Sequence, residues 1–294
     1  MKGKESTSVN FLKMHGTLND FVLIDGRGLE LNPSQLAKEM CDRTGGIGSD
    51  GLILIHDSSD ADLRMQMFNP DGSEAEMCGN GIRCFTKYSV ENGLLSNEGP
   101  LDIETKAGTM IVWPIGENDQ VTHVRVDMGI PRLNANDIPI LLGPTDTTSD
   151  HPIIDYSIEV SGIKLEVTCV SMGNPHAIAF LDSPVDDFPL ERIGPLVETH
   201  QAFPEKVNFS IVNHLNRTQL RSRVWERGAG MTMACGTGAS AQAVAARMKG
   251  LVDDNIQVDL PGGTLKITWD GQSSVFMEGP ATEVFQGEWP HQTQ

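Results

Sequence analysis

The sequence is short of basic side chains: 22 Lys and Arg stand against 40 Asp and Glu, a formal charge of −18 over 294 residues. A surface of that sign repels phosphate backbones and argues against a nucleic-acid partner. Long apolar runs are also missing. Stretches such as 52–55 (LILI) are strand-sized and far below the ~18 residues that a membrane-spanning helix needs. The opening MKGKESTSVN lacks the apolar segment of a secretory signal and reads as a loose tail. Among five cysteines (Cys41, Cys78, Cys84, Cys169 and Cys235) there is no C-x-x-C pair. Their odd number and wide spacing argue against a disulfide framework, a thiolate zinc site or a thioredoxin-type motif, and suit a reducing cytoplasm. No G-K-[ST] occurs, so a P-loop is absent. Residues 46–51 (GIGSDG) do satisfy G-x-G-x-x-G, but a helical pattern precedes them and a strand pattern follows. A dinucleotide fingerprint needs the opposite order.

What is present is a chain long enough for two domains. Strand patterns cover 21–25, 51–56, 63–68, 101–105 and 109–113, then 177–181, 207–212, 256–260 and 264–269. Helical patterns cover 33–42, 79–92 and 236–249, the last two stopping at Gly93 and Gly250. Residues 138–155, rich in Pro, Thr, Asp and Ser, read as an inter-domain crossing. Landmarks recur at near-constant separation: Asn19 and Asn174 are 155 residues apart, Asn69 and Glu226 157, Cys78 and Cys235 157, Gly108 and Gly263 155. Four such pairs in one order imply two similar halves. The expected fold class is therefore α+β, with two pseudo-symmetric domains. Each is a curved, mostly antiparallel sheet around a central helix. The halves are 1–130 and 131–278.

Both halves carry Cys-Gly-x-Gly directly before a helical stretch. First-turn amides have no intrahelical partners, and the helix dipole adds positive charge there. Gly79 and Asn80, and again Gly236 and Thr237, can therefore bind a carboxylate. The same field predicts that Cys78 and Cys235 are more acidic than free cysteine. Singly, each cysteine could be a small buried apolar residue; Cys41, Cys84 and Cys169 are read that way. Inverting a carbon centre needs two acid–base groups, because a proton leaves one face and another arrives on the opposite face. Nucleophilic catalysis would need one thiol, and a redox pair could use two.

FNPDGSEAEMCGNGIRC and WERGAGMTMACGTGASA, with KMHGTLNDFVLID, SMGNPHAIAFLD and FPEKVNF, resemble the signature segments of the diaminopimelate epimerase family over roughly residues 11 to 290. The resemblance implies a pyridoxal-free, metal-free isomerase that interconverts LL- and meso-diaminopimelate on the route to lysine and peptidoglycan precursors. It acts as a cytoplasmic homodimer, with residues 279–294 returning to the first domain. It makes Cys78 and Cys235 the acid–base pair and His176 a residue that supports catalysis. Asn19, Asn69, Asn174 and Asn208 match substrate-binding asparagines. Glu226 and Arg227 match a substrate-contacting pair, and Gly79, Asn80, Gly236 and Thr237 match carboxylate-binding amides. The types suit a substrate with two amines and two carboxylates: amides donate and accept, Arg227 can clamp a carboxylate and Glu226 can accept from an ammonium.

Four positions depart from the family pattern: Met231 where Glu is usual, Gly51 where some members have Gln, Leu18 where Gly is common, and Phe285 near an aromatic, often Tyr, that supports dimer formation. Rival readings are a proline or hydroxyproline racemase-type enzyme, an isomerase of this fold with a carboxylate base, and a thiol-redox or non-catalytic binding protein.

Overall fold

The computed structural model describes residues 6–117, 120–143 and 151–292. The chain divides into two compact units, Met1–Val126 with Gly279–Gln294, and Asp127–Glu278. The first contains β1 (Ser6–Gly16), β2 (Asn19–Asp25), α1 (Pro33–Met40), β3 (Gly51–His56), β4 (Leu63–Phe68), β5 (Glu74–Ala75), α2 (Gly79–Glu91), β6 (Leu101–Thr105), β7 (Gly108–Glu117) and β8 (Gln120–Asp127). The second contains β9 (Tyr156–Val160), β10 (Ile163–Ser171), β11 (Pro175–Phe180), α3 (Leu190–Glu198), β12 (Asn208–Asn216), β13 (Gln219–Glu226), β14 (Gly230–Thr232), α4 (Gly236–Met248), β15 (Asn255–Leu260), β16 (Gly263–Thr268) and β17 (Phe276–Pro280). The last strand, β18 (Thr282–Gln292), pairs with β1.

Strand pairing repeats element by element. In the first unit β1–β2 is antiparallel, β2–β3 parallel, β3–β4 antiparallel, β4–β6 parallel, and β6–β7 and β7–β8 antiparallel. In the second, β10–β11, β11–β12, β12–β13, β13–β15, β15–β16 and β16–β17 follow the same sequence of senses. Short β5 lies on β4 and short β14 on β13. An antiparallel strand adds to each: β18 on β1, β9 on β10. The α+β expectation of two similar halves is thus what forms.

One helix sits inside each sheet. Helix α2 packs against β1, β2, β3 and β7, and α4 against β10, β11, β12, β15 and β16. A helix enclosed on most sides needs buried residues around its circumference. In α4 small residues serve, and Gly238, Ala239, Ser240, Ala241, Ala243 and Ala245 are all buried. Both helices run out into a left-handed glycine, Gly93 (φ 69°) and Gly250 (φ 70°), which an L side chain would strain.

Two expectations are corrected. From Ser6 the opening residues are not a loose tail but the start of β1, because the far end of the chain, β18, supplies their hydrogen-bonding partner. Residues 138–155 are not a crossing. The described parts, 138–143 and 151–155, lie within the second unit, where Ile138, Ile140 and Ile153 are buried in its core; 144–150 fall outside the described residues. Helix α3 is absent from the sequence reading because Pro195 lies inside it, which breaks the usual pattern. Among the described residues, no helix is long and apolar enough to cross a membrane.

Candidate active site

Cys78 and Cys235 occupy the same structural position. Each is the N-cap of its central helix, with extended backbone (φ −140°, ψ 119° and φ −127°, ψ 115°). In each unit some of the candidate residues meet that cap: Asn19 at Cys78, and Thr237, Glu226 and, through Thr237, His176 at Cys235.

In the first unit, Asn19 begins β2. Its Oδ1 lies 3.6 Å from the Cys78 sulfur, which donates to it, and accepts from Asn80 Nδ2 at 3.1 Å. Its Nδ2 donates to Asp50 at 2.7 Å. Behind Asn80 lies Arg83, fully buried, donating to Asn80 Oδ1 (2.8 Å), the Gly79 carbonyl (3.0 Å) and the Pro280 carbonyl (3.2 Å). Burial lowers the Arg83 pKa to about 10, so the guanidinium remains charged at neutral pH. Arg83 and Asp50 escaped the sequence reading. Arg83 was legible in principle, as a charge on a helix expected to be enclosed. Asn69 follows β4, and its Nδ2 donates to Ser73 (3.0 Å) inside the turn that it begins.

In the second unit, the Cys235 sulfur accepts from the Gly238 amide (3.4 Å) and lies 3.5 Å from Thr237 Oγ1. Thr237 Oγ1 is 3.2 Å from His176 Nε2, which is 3.0 Å from Asn174 Oδ1. His176 is fully buried and its Nδ1 has no hydrogen-bond partner; burial, then the Arg227 charge, lowers its pKa to about 3. It is a neutral imidazole at physiological pH. Asn208, paired with His176 across β11–β12, donates to the Pro175 carbonyl (3.0 Å) and accepts from the Arg227 amide (2.9 Å), so it anchors the loop that carries Arg227. Glu226 ends β13 and accepts from Thr232 Oγ1 (2.5 Å).

The expectation that the helix dipole makes Cys235 acidic is corrected. Burial and the neighbouring Glu226 carboxylate push its pKa well above the ordinary cysteine value. A partial charge at a helix start cannot offset the loss of hydration together with a full negative charge nearby. Cys235 therefore rests as the protonated thiol.

The departures have structural settings. Gly51 stands opposite Phe21 in β2–β3, the place Asn208 takes opposite His176, and a Cβ there would lie 3.0 Å from the Phe68 carbonyl. Leu18, with Thr17, turns β1 into β2 at positive φ (63° and 51°), backbone that favours glycine. Met231 is exposed, its sulfur accepting from Arg223 (3.1 Å). The GIGSDG segment follows α1 and precedes β3, the reverse of a dinucleotide site.

The diaminopimelate epimerase family model matches residues 11–134 and 168–284. The chain is 47% identical over 282 residues to the diaminopimelate epimerase of Methanococcus maripaludis, covering 95% of this chain and 99% of that one. To that of Moorella thermoacetica it is 48% identical over 286 residues, covering 96% and 99%. In fold it is similar to a Bacillus anthracis phenazine biosynthesis protein of the PhzF family (TM-score 0.69, 19% identity, 96% and 99% covered). It is likewise similar to a hydroxyproline epimerase from Agrobacterium vitis (TM-score 0.69, 15% identity, 99% and 95% covered). With a family model across both repeats and relatives near half-identical end to end, the chain belongs to the diaminopimelate epimerase family.

Proposed function

We propose that this chain is a cofactor-independent isomerase that inverts one α-carbon of LL-2,6-diaminopimelate to give the meso form, with Cys78 and Cys235 as the two acid–base groups. The observation that carries the reading is the duplicated cap: one sulfur at the start of each of two equivalent enclosed helices. One thiolate removes the α-proton from one face and the other sulfur, as thiol, supplies a proton to the opposite face. The roles exchange with direction. Cys235, whose proton is held by burial and by Glu226, starts as the acid in one direction. Amides at Gly79 and Asn80, and at Gly236 and Thr237, favour the α-carboxylate and the charge that develops beside it. Asn19, Asn69, Asn174, Asn208, Glu226 and Arg227 hold the ammonium and carboxylate groups. Neutral His176 supports Thr237 beside Cys235.

The chain acts in the cytoplasm, where its free thiols stay reduced. It pairs with a second copy through the outer face of β18, which exposes Val284 and Phe285. Phe285 packs edge-on against Phe11 with ring centroids 5.9 Å apart, so it presents a fixed apolar face.

The test is incubation of purified protein with LL-diaminopimelate in D₂O without added cofactor. Deuterium enters the α-carbon of the meso product, and Cys78→Ala or Cys235→Ala removes turnover by ~10²-fold or more, the usual contribution of a general acid or base. Turnover above that level in either variant overturns the two-thiol reading.

A further inference from the structure

The GIGSDG segment runs from helix to strand, the reverse of a dinucleotide fingerprint, yet its backbone is closely tied down. Its backbone wraps the C-terminal carbonyls of α1: Gly46 donates to Asp42 O, Ile47 and Gly48 both donate to Met40 O, and Ser49 donates to Cys41 O. A Cβ on Gly46 would stand 2.2 Å from the Glu39 carbonyl, so only glycine permits the wrap. What the loop delivers is Asp50. The Asp50 amide donates to Asp20 O (2.9 Å), the Asp20 amide donates to Asp50 Oδ2 (3.1 Å), and Arg43 grips Asp50 Oδ1 at 2.6 Å. A further layer backs it. Asp20 pairs with Lys13 (2.6 Å) and Arg43 (2.8 Å); burial opposes its charge, but bonds from Arg43, Lys13 and Asp50 win and lower its pKa to about 2.

We propose that Asp50 is a positioning residue that locks the side-chain amide of Asn19 with its carbonyl oxygen toward the Cys78 sulfur. The inference rests on the proposed role of Cys78 and Asn19. An amide side chain is nearly isosteric with its flipped form, so its polarity must be imposed from outside. Here the hydrogen bonds form one directed chain. The Arg83 guanidinium, which can only donate, faces Asn80 Oδ1. Asn80 must then present Nδ2 to Asn19 Oδ1, and Asn19 must present Nδ2 to Asp50 Oδ2. The Asp50 carboxylate, which can only accept, closes the chain. Flipping Asn19 would set oxygen against carboxylate oxygen and nitrogen against nitrogen at once. With the lock in place the Cys78 thiol has an acceptor at 3.6 Å, and the protonated form is favoured. With the amide reversed, an N–H would face the sulfur and favour the thiolate. In the second unit the corresponding Asn174 faces His176 Nε2, a group that can donate or accept, so the bias differs between the two repeats.

The test reads alkylation of Cys78 by iodoacetamide against pH, by mass spectrometry, in the full chain without substrate. Asp50→Asn, which can donate as well as accept, is expected to move the Cys78 profile to lower pH and to raise the rate at pH 7 about threefold, a displacement of roughly half a unit. In an Asn19→Ala background the same substitution is expected to change nothing further. A thermal midpoint reports whether each variant folds, and Asp50→Ser is the second variant if Asp50→Asn does not. An unchanged profile in Asp50→Asn overturns the lock, as does a shift that persists without Asn19, which would reduce Asp50 to a nearby charge. Because alkylation needs no substrate, a chain that keeps the Asn19-dependent shift but does not epimerise refutes the catalytic reading and leaves the lock standing.

Discussion

Replacing Arg83 with Met tests the buried scaffold behind Cys78. The substitution keeps a long apolar stem and removes every donor. Three carbonyl acceptors lose a donor, Asn80 Oδ1 at 2.8 Å, Gly79 O at 3.0 Å and Pro280 O at 3.2 Å, as does the Thr17 hydroxyl at 3.3 Å, which keeps its bond to the Gly16 carbonyl. An orphaned buried acceptor costs about 1–3 kcal/mol, so the loss is about 6 kcal/mol at mid-range. Removing a charge from a dry site returns part of it. The fall of the Arg83 pKa from 12.5 to about 10 corresponds to about 3 kcal/mol of burial penalty. The net expectation is destabilisation by roughly 2–4 kcal/mol, seen as a fall of roughly 4–16 °C in thermal midpoint. Activity falls as well, because Asn80 loses the donor that sets the polarity of its amide. Guanidinium-chloride unfolding gives the first quantity and deuterium incorporation into substrate the second. A variant less than about 1 kcal/mol weaker with undiminished kcat would refute the reasoning, since it would mean that these acceptors find other partners at no cost.

Leu18→Gly relieves an L side chain from φ 63°, worth about 1–2 kcal/mol, against about 0.5–1 kcal/mol of added chain entropy; the variant should be the more stable in urea titration, and a lower midpoint counts against strain at this turn. Burial lifts the Cys84 and Cys169 pKa values to about 12, and that of Cys235 is raised by burial and Glu226. Raised folded values mean that their contribution to stability is intact below the unfolded thiol pKa and is lost as pH rises toward the folded values. Unfolding free energy should then drop by up to about 4 kcal/mol per pH unit above pH ~9, and Cys169→Ala should remove about a third of that slope. For His176 the sign is the reverse. With a folded pKa of about 3 against an ordinary 6.5, stability is intact above pH 6.5 and is lost as pH falls toward 3. His176→Gln should flatten that acid limb in a pH series of thermal midpoints, and an unchanged limb would mean that the ring is hydrated.

Much of the site could be read from the sequence because its signals are local. Cys-Gly-x-Gly before a helical stretch names both sulfurs and both sets of first-turn amides. The 155- and 157-residue offsets announce two repeats, and the order helix, GIGSDG, strand rules out a dinucleotide. Local pattern also placed α2 and α4 within a residue or two, since each ends at a glycine that takes the left-handed conformation.

Other features depended on contacts that no window of sequence contains. Residues Ser6–Asn10 look like a tail until β18 arrives from the opposite end of the chain to pair with them. The Cys235 proton is held by burial and by Glu226, both products of packing, and these outweigh the helix dipole that the sequence announces. Arg83 lies in an enclosed helix and Asp50 in a glycine-rich loop, and only the fold brings one to each end of the Asn80–Asn19 hydrogen-bond chain. The sequence alone singled out the groups proposed to carry the chemistry, because identity and short-range spacing are written in it. The tertiary structure decided the protonation state and orientation of those groups, because hydration, neighbouring charge and amide polarity come from residues distant in the chain.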